Sequence, residues 1–338
     1  MIEKTVIALL LGDPAGIGPE LVAKLLADEQ INQQAHIFLV ADKDEFLKGQ
    51  QIAGIQVPFT EAGTFEDAQF SDHLPVLCDY RSPAKGEFTE AKATSAGGRY
   101  CLETLKIALE LTVAGKSDAI CFAPLNKEAL HLAGMTHDDE MHWFAHQIGH
   151  EGYFCELNVL KELWTARVTS HIALKDVSAM ITQKRVADSI ELVHRSLRQA
   201  AVEHPRIGVA ALNPHAGDGG NFGREEIDII APAVERIRAK GIDVEGPFSS
   251  DTIFLKGLAG EYDAIVTMYH DQGQIAMKLT GFDRGVTVLG GLPIPIATPA
   301  HGTAFDIMGK GIANVSAMRH AFELAFQMGL MRRRQSSS

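Results

Sequence analysis

The sequence predicts an α/β protein with a mostly parallel sheet. Three observations carry this expectation. Short apolar runs alternate with longer segments of helical spacing along the chain. Three of the runs stop sharply, at Gly12, Pro124 and Asn213, rather than fading into polar sequence. The 338 residues suffice for two domains, or one large one, with a sizeable core.

Taken in order, Val6 to Leu11 is a strand-like run broken by Gly12-Asp13-Pro14-Ala15-Gly16-Ile17-Gly18-Pro19-Glu20, and helical spacing begins at Leu21. His36 to Val40 reads as a second strand and Val76 to Cys78 as a short one. Ala93 to Leu111 is a long amphipathic helix, and Ala119 to Ala123 a buried strand stopped by Pro124. Downstream, Arg167-Val168-Thr169 leads into Ser170-His171, Asp188 to Val202 is helical, and Arg206 to Leu212 is a strand ending at Asn213-Pro214-His215. Ile227 to Lys240 is helical again, and Ala264 to Met268 is a strand ending at Tyr269-His270. The closing Arg332 to Ser338 tail reads as disordered.

His171, His215 and His270 therefore each fall just past an extended run, where open α/β sheets bind ligands. Singly, each reads as a structural imidazole. Together they suit zinc or another divalent metal, a three-ligand site leaving one position open for substrate. Asp251 and Asp271 are candidates to add a ligand or orient an imidazole, with helix-capping or turn roles as the alternative. Lys278 and Lys127 are candidate substrate-facing cations or proton carriers; otherwise they are solvated lysines. The Gly12 to Glu20 turn can cradle an anion at a helix N-terminus, although it is neither a P-loop nor G-x-G-x-x-G, and a structural turn stays open. His137, His142, His146 and His150, with Asp138, Asp139 and Glu140, lack the H-E-x-x-H spacing and read as a cleft wall or surface helix.

The net charge of −12 argues against general nucleic-acid binding, although a local basic pocket can still take an anionic substrate. Cys78, Cys101, Cys121 and Cys155 show no C-x-x-C pair and read as reduced thiols. With neither a signal-peptide layout nor an apolar run long enough to span a bilayer, the expectation is a cytoplasmic, membrane-free protein.

The Gly12 to Glu20 segment, the three histidine segments and His301-Gly302-Thr303-Ala304 together resemble the 4-hydroxythreonine-4-phosphate dehydrogenase family, from Thr5 to about Met328. The stretch His301 to Asn314 is also similar to the cofactor loop of isopropylmalate dehydrogenases. The resemblance implies two α/β/α domains with an active-site cleft between them, isopropylmalate-dehydrogenase-like, in a homodimer whose partner completes the site. The expected domains are 1–124 with 273–330 on the cofactor side and 125–272 carrying the metal-ligand segments and dimer contacts, followed by the 331–338 tail. His171, His215 and His270 are implied as ligands of a divalent ion (Zn, Mg, Mn or Co). Lys278 falls on a substrate-binding lysine, and the cofactor is expected to meet Gly12, Asp13, Gly291, His301, Gly302, Asp306 and Asn314. Asp306 favours NAD over NADP, because a carboxylate accepts from ribose hydroxyls and repels a 2′-phosphate.

The chain also departs from the family. Where the family carries a substrate-contacting His-Thr pair stand Glu140 and Met141, and its substrate-contacting Asn and Arg correspond to Thr287 and Ile296. Losing the arginine removes a bidentate phosphate fork, and Glu140 repels a phosphate. The expected reaction is metal-dependent oxidation of a secondary alcohol by NAD, with decarboxylation where the carboxylate lies β to the new ketone. The substrate is 4-hydroxythreonine-4-phosphate or resembles 4-phosphothreonate or erythronate. The alternatives are a non-phosphorylated diol acid, such as a cyclohexadiene diol carboxylate, and a catalytically silent metal- or nucleotide-binding relative.

Overall fold

Apolar runs become strands and the amphipathic segments become helices in the computed structural model, which describes residues 4–81, 88–160, 162–281 and 284–336. In chain order these are β1 (Val6–Leu10), α1 (Gly18–Leu26), α2 (Glu29–Gln34), β2 (His36–Ala41), α3 (Lys43–Ala53), β3 (Thr60–Ala62), β4 (Val76–Asp79), α4 (Ser95–Val113), β5 (Ala119–Phe122), α5 (Lys127–Leu132) and α6 (Glu140–Gln147). There follow β6 (Cys155–Leu160), β7 (Leu163–Arg167), α7 (Val177–Met180), α8 (Gln183–Gln199), β8 (Ile207–Ala210), α9 (Ala231–Arg238), β9 (Val244–Phe248), α10 (Ser250–Leu258), β10 (Ala264–Thr267), α11 (His270–Leu279) and β11 (Val286–Gly290). The chain closes with β12 (Ile296–Pro299) and α12 (Ser316–Ser336).

The chain divides into two units, Met1–His150 with Pro293–Ser338, and Glu151–Leu292. In the first, the strands lie in the order β3-β4-β2-β1-β5-β12, and their pairings are parallel. Every residue of β1 and β5 is buried, as unbroken apolar runs require when helices cover a parallel sheet. α4 and α12 both pack against these two strands. The second unit orders its strands β11-β6-β7-β10-β8-β9. Its β7, β10, β8 and β9 are parallel, whereas β6 runs antiparallel to both β7 and β11.

The division differs from the boundaries read off the sequence. Segment 125–150 stays with the first unit because α5 packs on α4, where a Cβ on Gly98 would lie 1.9 Å from the Ala129 carbonyl oxygen. Segment 273–292 stays with the second, since β11 pairs with β6 and Gln274 donates to Asn158 at 2.7 Å.

The tail is also corrected: α12 runs on to Ser336 rather than ending in a disordered segment, and Ser337 and Ser338 lie outside the described residues. The reason is local. Arg332 donates to the carbonyls of Thr112, Ser117 and Asp118 at 2.8, 3.2 and 3.2 Å. It thus ties α12 to the end of α4 and to the loop that follows it, while Arg333 pairs with Asp118 at 3.1 Å.

Candidate functional site

Three neighbouring parallel strands of the second unit, β7, β10 and β8, each lead into one of the histidine segments. Polar side chains tie those strand ends together. Thr169 donates from both its amide and its hydroxyl to the Met268 carbonyl, at 3.1 and 2.7 Å. The Met268 amide donates to Gln272 Oε1 at 2.7 Å, and Gln272 Nε2 donates to the Ala211 carbonyl at 2.8 Å. Gln272 therefore bridges the ends of β10 and β8. The sequence reading missed it, because its partners are backbone groups that no side-chain motif reveals.

This bracing brings His171 and His270 together, with ring centroids 5.6 Å apart and the planes tilted by 45°. The two rings line a pocket with Ser170, Ile172, Tyr269 and Asp271. His270 Nδ1 lies 2.7 Å from Asp271 Oδ1. A carboxylate only accepts, so this contact keeps the ring proton on Nδ1 and leaves the Nε2 lone pair for a ligand.

His215 is not drawn into that pair. Its loop passes through successive left-handed conformations, with φ of 53° at His215, 54° at Ala216, 81° at Gly217 and 44° at Asp218. The ring lies 6.4 Å from that of Phe222, centroid to centroid. A second residue missed by sequence reasoning holds the loop: buried Glu226 accepts from the amides of Leu212 and Asn213 at 2.8 and 2.7 Å and from Asn213 Nδ2 at 3.0 Å. Among the described residues, no group of three or more His, Cys, Asp or Glu side chains is arranged to hold a metal ion. Two of the three expected imidazoles thus converge, as a donor pair suited to a divalent ion, and the third stands at the end of the adjoining strand.

The other expected residues of this unit are dispersed. Asp251 is exposed in the first turn of α10, where a negative charge complements the helix dipole. Lys278 is exposed in the last turn of α11, about 12 Å along the helix axis from His270. Thr287 is buried in β11 and accepts from Asn158 Nδ2 at 3.3 Å. Gly291 turns the chain with φ 95°, its Cα set so close to Tyr153 that a Cβ would lie 2.5 Å from the carbonyl oxygen.

In the first unit the glycine turn is a packing device. A Cβ on Gly12 would sit 2.3 Å from the Ala123 carbonyl oxygen, and one on Gly18 would sit 1.9 Å from that of Leu11. Asp13 is fully buried and accepts from the Ala15 amide at 2.9 Å. Burial pushes its carboxyl up to about 6, against the pull of that hydrogen bond. Gly12 and Asp13, expected to meet the cofactor, are thus enclosed by protein in this structure. The turn does meet the expected cofactor loop, since Ile17 donates to the Thr303 carbonyl at 3.1 Å. That loop is held by Glu20 and Lys24: the Ala313 amide donates to Glu20 Oε1 at 2.8 Å, and Lys24 Nζ donates to the carbonyls of Gly311 and Ala313 at 2.9 and 2.8 Å. Gly302, Asp306 and Asn314 remain exposed along it, with His301 half-buried.

Ile296 and Met141, expected substrate contacts, are core residues instead: Ile296 pairs in register with Ile120 in the sheet, and Met141 lies on the buried side of α6. Glu140 opens α6, half-buried, and Lys127 opens α5, exposed. α6 is a surface helix, with His142 and His146 exposed. Burial pushes the Asp139 carboxyl up, but hydrogen bonds from the backbone and ring of His142 outweigh it and hold the group below its ordinary range.

Residues 33–325 match the family described as pyridoxal phosphate biosynthetic protein PdxA. A protein of Pseudomonas aeruginosa, provisionally named 4-hydroxythreonine-4-phosphate dehydrogenase 2, is 58% identical over 325 residues, covering 96% of each chain. The D-threonate 4-phosphate dehydrogenase of Pectobacterium atrosepticum is 37% identical, covering 96% of this chain and 99% of its own. The crystal structure of 4-hydroxythreonine-4-phosphate dehydrogenase from Klebsiella pneumoniae is 36% identical and aligns with a TM-score of 0.82, covering 97% of this chain and 98% of that one.

Proposed function

This chain belongs to the PdxA family, and we propose that it is a metal-dependent, NAD-linked dehydrogenase oxidising a secondary hydroxyl of a small hydroxy acid. The substrate is of the 4-hydroxythreonine-4-phosphate or 4-phosphothreonate kind, and the oxidation is followed by loss of carbon dioxide where a carboxylate lies β to the new ketone. The observation that carries this reading is the convergence of His171 and His270 at the ends of neighbouring parallel strands. These two residues, with His215 from the end of β8, are the ones to hold a divalent ion. Bound there, such an ion supplies Lewis acidity toward the substrate hydroxyl.

The protein's own groups do the positioning. Asp271 sets the tautomer of His270, and Gln272 fixes the spacing between the His270 and His215 strand ends. Asp306, exposed on its turn, accepts from ribose hydroxyls and disfavours a 2′-phosphate, which gives preference to NAD. Lys278 serves an anionic group of the substrate from the far end of α11.

We propose further that the protein is a homodimer joined through the second unit, the partner completing the site. Support comes from large apolar side chains left in water beside the histidine segments: Leu174, next to His171, is 72% exposed and Phe222, next to His215, 53%. No helix of the described residues is long and apolar enough to cross a membrane, and we place the protein in the cytoplasm.

The test is a screen of phosphorylated and non-phosphorylated hydroxy acids, following NADH with protein stripped of metal by a chelator and then resupplied. NADH is expected only with metal restored, on a phosphorylated hydroxy acid, with kcat/KM higher for NAD than for NADP. Metal binding without turnover on any hydroxy acid removes the dehydrogenase reading. Turnover confined to non-phosphorylated diol acids removes its phosphate, and equal kcat/KM with both cofactors removes the role of Asp306.

A further inference from the structure

We propose that Arg167 is an oxyanion-binding residue, its guanidinium taking a carboxylate or phosphate oxygen of the substrate on the α11 face of the second unit's sheet. The proposal rests on reading that unit as the substrate-binding one. Arg167 ends β7, four residues before His171, and its side chain is 4% exposed. A guanidinium is always charged and offers five N–H donors in a planar fork. One nitrogen, Nη2, donates to Glu156 Oε2 at 3.2 Å, longer than a charge-assisted bond normally runs. The other, Nη1, is buried with no acceptor. A charged donor enclosed and left unmatched works against folding, so its retention calls for a use that folding does not supply.

The surroundings share that polar character. Register sets Arg167 beside Thr267, and α11 crosses just there because Gly273 carries no side chain: a Cβ would lie 3.2 Å from Thr267 Oγ1. The N-cap of α11, Tyr269, makes no side-chain cap hydrogen bond, so the helix turns uncapped backbone amides and the positive end of its dipole to the same end of the sheet. Farther along this face, Gln274 donates to Asn158 Oδ1 at 2.7 Å and Asn158 donates to Thr287. Gln274 Oε1, like Arg167 Nη1, has no partner. The other face of β6 is apolar, with Leu157 beside Leu192 of α8 against Gly290. A polar strip with one arm of a cationic fork unmatched at its histidine end has the donor chemistry of an oxyanion seat.

Anion binding to the full-length protein, without metal or NAD, tests this independently of dehydrogenase activity. Inorganic phosphate and malonate are titrated by calorimetry and thermal melting at constant ionic strength, with chloride as the control; the preferred anion tells a phosphate from a carboxylate source. Wild type is expected to bind one of them, Arg167→Met to bind it at least about tenfold more weakly, and Arg167→Lys to fall between. Glu156→Gln, which frees the fork of its internal competitor, is expected to bind the anion more tightly. A purely structural ion pair predicts no such gain. Absence of binding by wild type overturns the proposal, as does undiminished binding by Arg167→Met. If neither arginine variant folds, Glu156→Gln decides: tighter binding supports the proposal, and unchanged or weaker binding overturns it.

Discussion

The glycine turn of the first unit and the histidine segments of the second both stand where a parallel strand gives way to a following segment, yet they are built in opposite ways. In the turn, Gly12 and Gly18 lie against carbonyl oxygens with no room for a side chain, and Asp13 is sealed inside. At the histidine-bearing ends His171 and His215 are exposed, and the bracing is done by Gln272 and Glu226 behind them. One strand end is spent on packing, the other on presenting donors. A motif's position at a strand end therefore marks where binding is possible, and what its side chains offer there depends on how the neighbouring elements enclose or expose them.

The sharpest test of this contrast is Gly18→Ala. A Cβ 1.9 Å from a backbone oxygen leaves nothing flexible to yield, and a loss above about 4 kcal/mol is expected, read as failure to accumulate folded protein or a collapsed urea midpoint. A variant melting within a few degrees of wild type would show that the turn is looser than its contacts imply.

Asp13 comes next. Its folded carboxyl holds a proton up to about pH 6, whereas the unfolded one releases it near 3.8. The folded state thus binds the extra proton between those values, and stability is lost as pH rises through that window and stays lower above it. The loss amounts to about 3 kcal/mol. Asp13→Asn removes it, so the difference between variant and wild type should shift in the variant's favour from pH 4 to pH 7. Urea melts at pH 4, 5.5 and 7 that keep a constant difference would sink the assignment.

Gln272→Ala is expected to have the smallest effect on folding, about 1–3 kcal/mol for the backbone groups it leaves unmatched. Its larger consequence is functional, with metal affinity falling by about 10–100-fold as the His270 and His215 strand ends lose their spacer. Calorimetric metal titration checks this; unchanged affinity would mean that the bracing does not govern the donors.

Much of this architecture was legible in the sequence. β1, β2, β5, β8 and β10 are apolar runs, three of them with Gly12, Pro124 or Asn213 close behind, and burial on both faces leaves them no other composition. β6 was hidden because Glu156 and Asn158 alternate with its apolar residues, and β9 and β12 because each contains a proline. The histidine segments were legible from their positions. The pairing of His171 with His270, and the setting of His215 apart from them on its own loop, depend on strand order and on left-handed backbone that no local pattern encodes. Ile296 and Met141 show the limit of carrying roles across by alignment: the column can be right while the side chain faces the core.

The clasp of Arg332 on the end of α4 bears on handling the protein. Truncation after Met331 strips the carbonyls of Thr112, Ser117 and Asp118 of that donor at a stroke. A shortened chain designed for crystallisation should therefore keep the helix through Arg333, and an affinity tag fused at this end needs a flexible spacer beyond Ser338 so that it does not pull the last helical turn away.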